Sequence, residues 1–396
     1  MKIVADENIP FVAECFSSIG EVEVVSAREI TPGVVNDADI LLVRSVTRVG
    51  GDLLNGSSIR FVGTATIGFD HIDIEYLSRN NIGFASAPGS NANSAAEYII
   101  AALLNVGQKY NLDLQGKSIG VIGAGNVGSR VAKKCAALGM KVYLNDPPLL
   151  RQTEEAKYLP IEELLKCDFI TLHTPLTFDG IDRTFHLADE KFFKSLKGGC
   201  IFFNTSRGGV VDSNALKAAI KSGKLEAVAL DVWEGEPNID TELLEIVDIG
   251  TPHIAGYSLD GKVAGMIMIY KASCEYFRLS AKFDVEDFLP EADVTQLEVN
   301  LQVGTEQDVL LGVVKEIYDI KEDDFRLRQI LEKQAEERGK FFSGLRKNYP
   351  VRREFQNTRI VIKEFATEGT ENKLKQNSAV EALAGKLAGI GFKVGK

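Results

Sequence analysis

The stretch Ser118-Ile119-Gly120-Val121-Ile122-Gly123-Ala124-Gly125-Asn126-Val127-Gly128-Ser129-Arg130-Val131 decides the fold. Residues 118–122 form a short apolar run that ends in glycine, which reads as a buried strand. Val127, Val131, Ala132, Cys135 and Leu138 then recur at helical spacing, so residues 127–138 read as an amphipathic helix. A glycine pattern is weak alone, but strand before and helix after make it a dinucleotide turn. Gly123 permits the tight turn, Gly125 lets the backbone approach a pyrophosphate, and Gly128 lets helix and strand pack closely. The helix start at Asn126 and Val127 offers free N–H groups and partial positive charge to phosphates. Asp146 follows the next strand-like run, where a carboxylate accepts from both ribose hydroxyls and repels a 2′-phosphate. The expected cofactor is therefore NAD rather than NADP, with Arg151 the nearby cation that argues the other way.

Outward from this turn, strand-like runs recur at 141–145, 169–173, 200–204, 227–231 and 248–250, with helix-like segments such as 214–222 between them. Six strands fit a complete doubly wound nucleotide-binding sheet. Upstream, runs at 2–5, 22–25, 40–43, 61–64 and 83–85 alternate with helix-like segments and predict a second parallel sheet. Residues 94–106 are apolar nearly all round and predict a buried helix, capped by Asn93 or Ser94 with Glu97 as the capping-box partner. A helix over 259–279 would cross back to the first domain and make it discontinuous, and Leu289-Pro290 marks a boundary. The tail predicts strands at 296–303 and 359–364 and helices at 306–318 and 379–390, with charge-rich 332–340 as a solvated helix face. The expected domains are 1–92 plus 257–285, 93–256, and 286–396. The fold class is α/β, with a flavodoxin-like first domain, a Rossmann-type NAD domain and a small α/β C-terminal domain.

A formal charge of −11 argues against nucleic acid as a partner, and any anionic substrate must meet a local basic patch. The densest basic run is Leu345-Arg346-Lys347-Asn348-Tyr349 with Arg352-Arg353. Five scattered cysteines without CxxC spacing read as reduced thiols, and neither a signal peptide nor an apolar run long enough for a membrane is expected. The expected setting is cytoplasmic, with no metal.

Oxidising a secondary alcohol needs a base for the hydroxyl proton and a cation for the neighbouring carboxylate. Of the four histidines, His253 in Thr251-Pro252-His253-Ile254-Ala255-Gly256 follows the last strand of the nucleotide domain, at the end where ligands bind. His173 also ends a strand and competes, although with Thr174-Pro175 it is expected to shape the cofactor pocket. His71 and His186 read as surface or packing residues. A carboxylate beside His253 would fix its tautomer, and both Glu236 and Glu234 are available. Arg207, after the run 200–204, offers a planar fork for a 2-hydroxycarboxylate.

These residues resemble the D-isomer-specific 2-hydroxyacid dehydrogenases over residues 1–285. The resemblance rests on Gly123–Gly128 with Asp146, Asn204–Gly208 with Val210-Val211-Asp212, 229–237, and Pro252–Gly256. It implies two α/β domains with a cleft, Arg207 binding and polarising substrate, His253 as acid/base, Glu236 assisting, and Asp231 near the nicotinamide. Further stretches resemble a branch acting on a four-carbon sugar acid with a terminal phosphate: Asp6–Pro10, Val43–Thr47, Gly63–His71, His253–Lys262 and the basic tail motif. This likeness implies that Ser45, Thr66 and Tyr257 touch substrate, that Asp146, Thr174, Asp231 and Gly256 contact NAD, with Thr205, Ser206 and Arg207 beside them, and that the tail mediates a homodimer. The phosphate is expected to meet Arg44 and the Arg346, Arg352 and Arg353 cluster. A dehydrogenase of another 2-hydroxy acid, such as 3-phosphoglycerate, and a non-enzymatic NAD(H) sensor on the same fold are the alternatives.

Overall fold

The computed structural model describes residues 1–300, 304–363 and 370–395. It forms two compact units, Met1–Asn93 with Tyr257–Glu291, and Ser94–Gly256 with Ala292–Lys396.

The first unit contains strands β1 (Lys2–Asp6), β2 (Glu21–Val25), β3 (Ile40–Val43), β4 (Phe61–Thr64) and β5 (Gly83–Ala85), all parallel in the order β2-β1-β3-β4-β5. Alternate residues of a strand face opposite sides, and the sequence fills both sides with apolar groups. Ile3, Ala5, Ile40 and Leu42 pack on one face, with Met266, Ile269 and Tyr270 of the long helix Leu259–Tyr276. Val4, Leu41, Val43 and Val62 pack on the other. Ser258 caps that long helix by accepting from Gly261 N.

The second unit holds β6 (Ser118–Ile122), β7 (Lys141–Asn145), β8 (Phe169–Leu172), β9 (Cys200–Asn204), β10 (Leu225–Leu230) and β11 (Ile249–Gly250), parallel in the order β11-β10-β9-β8-β6-β7. The winding direction changes between β6 and β8, because β7 lies on one side of β6 and β8 on the other. A switch point of this kind leaves a crevice at the carboxyl ends of the strands. Its helices include α1 (Ala92–Lys109), α2 (Asn126–Ala137) and α3 (Ser213–Lys221).

Helix α1 begins at Ala92, ahead of the expected cap, so Ser94 and Glu97 lie inside it and are buried. Glu97 accepts from Phe355 N at 3.0 Å and pairs with Lys134 at 3.8 Å, long-range contacts that override the local signal.

The tail carries a parallel sheet β12 (Gln296–Asn300), β13 (Arg359–Lys363) and β14 (Lys393–Gly395), in that order, with helices α5 (Glu306–Ile317), α6 (Ile320–Arg328), α7 (Ala335–Lys347) and α8 (Thr370–Ile390). (In the numbering of helices, Leu259–Tyr276 is α4.) The ends of the expected strands at 301–303 and 364 lie outside the described residues. The charge-rich stretch is solvated on one face only. Glu336, Glu337 and Lys340 are exposed, but Gly339 is buried against Asn238, Arg338 donates to Thr241 Oγ1 at 3.0 Å, and Phe342 enters the core under β9 and β10.

All five cysteines are unpaired and buried, and burial pushes the thiols of Cys15, Cys135 and Cys200 up to about 12, which keeps them unreactive. Among the described residues no helix is long and apolar enough to cross a membrane.

Candidate active site

The candidate groups of the second unit leave the carboxyl ends of three adjacent strands. Asn204 of β9 lies opposite Leu230 of β10, which in turn lies opposite Gly250 of β11. Arg207, Asp231–Glu236 and Thr251–His253 follow these three ends. The register alone therefore brings together segments that are far apart in sequence.

Asp231 fastens them. Its Oδ1 accepts from Thr251 Oγ1 at 2.7 Å and Ile254 N at 2.8 Å, and its Oδ2 accepts from Ala255 N at 2.9 Å. Its carbonyl accepts from His253 N at 2.8 Å. His253 sits at φ 59, in the left-handed region that a side chain disfavours, so its backbone persists only where neighbours hold it. Its Nδ1 lies 2.7 Å from Glu236 Oε2, while Glu236 Oε1 accepts from Trp233 N at 2.8 Å. Burial pushes the Glu236 carboxyl up, but the His253 ring, the Trp233 N–H and the Arg346 charge outweigh it and hold the group below its ordinary value. Glu236 is thus an anion whose one oxygen is fixed by backbone and whose other orients the imidazole. Nδ1 of His253 is turned to Glu236, which leaves Nε2 for chemistry.

The rival groups are engaged elsewhere. Glu234 meets His186 Nε2 at 2.7 Å and accepts from Ser213 N, so it does not serve His253. His173 contacts Thr171 Oγ1 at 2.9 Å through Nε2 and Thr205 Oγ1 at 3.1 Å through Nδ1. Burial pushes its ring down to about 3, so it stays neutral and is not a proton carrier at neutral pH. His71 is half-buried against Thr64 Oγ1, and partial burial lowers it too.

The depressed His173 has a consequence for stability. An unfolded histidine titrates near 6.5, so between that pH and about 3 the unfolded chain holds a proton that the native chain lacks. Stability is then lost as pH falls below about 6.5, at up to about 1.4 kcal/mol per pH unit from this group. Urea unfolding at several pH values, for the native chain and His173→Gln, should show this part of the slope missing in the variant. An identical slope in both would contradict it.

Arg207 is half-buried and its Nη1 donates to Ser206 O at 2.8 Å. The turn that carries it is built by Asn204, whose Oδ1 accepts from Ser206 N and Oγ and whose Nδ2 donates to Arg207 O. Neither this duty of Asn204 nor that of Trp233, whose Nε1 donates to Thr251 O at 2.9 Å, is evident from the sequence. A polar asparagine closing the apolar run 200–204 was the available signal for the first, and the sequence offered none for the second. Ser206 and Thr205, expected at the cofactor, direct their hydroxyls to Asn204 and His173.

The glycine turn fits a dinucleotide. Gly123 has φ 88, and a Cβ there would lie 2.7 Å from His173 O. A Cβ at Gly128 would overlap Gly123 O, whereas one at Gly125 would meet nothing within 4 Å. The space in front of α2 is therefore open where a phosphate needs it, and no side chain caps that helix. Asn126 is exposed and Val127 half-buried at its start. Asp146 accepts from Ala124 N at 2.8 Å and Leu149 N at 3.0 Å, one bond per oxygen, so each oxygen keeps a lone pair for a ribose hydroxyl. Thr174 Oγ1 is buried without a hydrogen-bond partner, a vacancy that a cofactor amide or hydroxyl suits. Arg151, the residue that could have favoured a 2′-phosphate, is paired with Asp182.

In the first unit, Arg44 and Ser45 follow β3 and Thr66 follows β4, its neighbour, with Val43 opposite Thr64. Thr66 Oγ1 contacts Thr64 Oγ1 at 2.7 Å and donates to Gly68 O at 2.9 Å. Tyr257 precedes the capped helix α4 and lies under Lys262, whose Nζ is 4.9 Å from its ring centroid. Of the tail arginines expected at the phosphate, Arg352 is buried, Arg353 donates to Asn357 Oδ1, and the Arg346 charge helps to lower Glu236.

Residues 100–255 match the NAD binding domain of the D-isomer specific 2-hydroxyacid dehydrogenases, and residues 288–375 match a domain family of unknown function. An erythronate-4-phosphate dehydrogenase of Escherichia fergusonii is 41% identical over 379 residues, 96% of this chain and 98% of the relative. The chain belongs to the erythronate-4-phosphate dehydrogenase family. A second member, from Photorhabdus laumondii, is 42% identical over 361 residues, 91% of this chain and 94% of its own length. Among solved structures, NAD-bound 3-phosphoglycerate dehydrogenase of Entamoeba histolytica matches with TM-score 0.60 and 27% identity, over 73% of this chain and 99% of that one. D-lactate dehydrogenase of Aquifex aeolicus, complexed with NAD and lactic acid, matches with TM-score 0.58 and 27% identity, over 70% and 96%. For the erythronate-4-phosphate dehydrogenase family, the α/β nucleotide fold and the NAD-dependent oxidoreductase class agree with the expectations drawn from the glycine turn and Asp146.

Proposed function

We propose that this chain oxidises the C2 hydroxyl of 4-phospho-D-erythronate with NAD, giving 2-oxo-3-hydroxy-4-phosphobutanoate, a step of vitamin B6 biosynthesis. The observation that carries the proposal is the His253–Glu236 pair at 2.7 Å, beside the strand end that bears Arg207, in a chain related to erythronate-4-phosphate dehydrogenases over nearly its whole length. Bound dinucleotide supplies the hydride acceptor. It would be held by the turn Gly123–Gly128, by Asp146 and Thr174, and by the segment around Thr205, Ser206, Arg207, Asp231 and Gly256.

Neutral His253 takes the C2 hydroxyl proton at Nε2, and the Glu236 carboxylate stabilises the imidazolium that results. Arg207 holds the substrate carboxylate and draws electron density toward the forming carbonyl oxygen. Arg44, Ser45, Thr66 and Tyr257 are proposed as substrate contacts, and Arg346 as a phosphate ligand. With Arg352 buried, the phosphate role falls on Arg44 and Arg346. The chain is further proposed to act in the cytoplasm as a homodimer through its tail, which light scattering of the purified protein would test.

The deciding assay follows NADH formation with 4-phospho-D-erythronate, 3-phosphoglycerate and D-lactate as alternative substrates. The expected outcome is a kcat/KM for the four-carbon acid at least about tenfold above the others, the low end of the discrimination that a change of one carbon unit produces. Equal or better use of 3-phosphoglycerate would transfer the proposal to that substrate. NADH binding without oxidation of any acid would favour a sensor.

A further inference from the structure

Arg352 stands far along the chain from the site, between α7 and β13, yet it is only 6% exposed. Its Nη2 donates to Ala255 O at 2.6 Å and to Ser94 O at 3.3 Å, and its Cζ lies 4.2 Å from the Tyr318 ring centroid. Its Nε and Nη1 are buried without hydrogen-bond partners. A buried guanidinium with open donors is costly, and here the carboxyls of Glu97 and Asp323 offset part of that cost. Of its polar contacts, the one that bears on the candidate site is the bond to the Ala255 carbonyl.

That carbonyl closes the segment that carries His253. From the other side, Asp231 takes the N–H groups of His253, Ile254 and Ala255. The segment is thus gripped at its amides by one residue and at a carbonyl by another, and His253 needs the grip because its φ of 59 is disfavoured for a residue with a Cβ. Without the second hold, the backbone can relax toward negative φ and turn the imidazole away from Glu236.

We propose that Arg352 is a positioning residue for His253, by which the tail of the chain sets the geometry of the proposed base. The inference rests on the function proposed above. It is tested by a cycle of Arg352→Met and His253→Gln, with turnover expressed per NADH-binding site and NADH affinity read by fluorescence titration. Arg352→Met is expected to lower kcat per site by roughly 10- to 100-fold, the usual cost of a misplaced group, with the NADH Kd within about threefold. In the His253→Gln background the same change should cost almost nothing more, because the group it positions is gone. A loss of activity that merely tracks the loss of NADH-binding sites, or an equal loss in both backgrounds, would overturn the inference. Should the methionine variant fail to fold, Arg352→Lys keeps the charge beside Asp323 and Glu97 and runs through the same cycle with a smaller expected loss. A native chain that does not oxidise 4-phospho-D-erythronate would sink the proposed function instead, so the two failures are distinguishable.

Discussion

His253→Gln lowers kcat for 4-phospho-D-erythronate by about 10³-fold, within the range that a positioned general base contributes. Glutamine is the informative replacement. Its amide can still donate to Glu236 Oε2, so the buried carboxylate keeps a partner and the loop keeps its hydrogen bonds to Asp231. What it lacks is a nitrogen able to take a proton. The binding of NADH should change by less than about threefold, since no phosphate or ribose contact is assigned to residue 253 and neutral replacement of one polar group for another is nearly isosteric. Stopped-flow single turnovers with enzyme in excess separate this chemical loss from product release. A variant that keeps more than a tenth of the native rate would remove His253 from the proposed role.

Gly208→Ala should be as damaging by a different route. A Cβ at this position would overlap the Trp233 carbonyl and press on Glu234 N, and all of these are backbone atoms. No rotamer relieves such a clash, so the segment after β9 or the one after β10 must move. Either movement is harmful. Arg207 precedes the glycine directly, and Trp233 N is what fixes Glu236 Oε1. Stability is expected to fall by about 2–4 kcal/mol, as for overpacking that side chains cannot absorb. The surviving folded protein should lose at least about 100-fold in kcat/KM through displaced groups. Urea denaturation and steady-state kinetics on the same preparation check both parts. A variant with native stability and native turnover would mean that the two segments do not touch as described.

Local patterns carried most of the architecture because they are set by neighbours in sequence. The run 118–122, the glycines at 123, 125 and 128 and the helical spacing from Val127 to Leu138 agree with β6, the turn and α2 within a residue or two. The five strands of the first unit were legible for the same reason, as apolar runs broken by polar helices. Reading failed where distant residues decide. Ser94 and Glu97 form a good local cap signal, but Phe355 and Lys134 claim Glu97 and draw both residues into the helix interior. Glu234 and Glu236 stand in one heptapeptide and are chemically alike; His186, reached only through the fold, takes the former and leaves the latter to His253. Arg352 reads as part of a basic motif for the phosphate, because composition carries no information about burial. The clamp made by Asp231 was equally hidden, since its partners are brought to it by strand register rather than by spacing.

The account is tested most directly by following the hydrogen on C2. 4-Phospho-D-erythronate carrying deuterium at C2 is mixed with excess enzyme and NAD for a single turnover, and the nicotinamide is analysed by mass spectrometry. The account predicts deuterium on the reduced ring in a one-to-one ratio to the 2-oxo product formed, with transfer suppressed in His253→Gln. Oxidation of the acid with the label lost to water, or no transfer at all from C2, would contradict it.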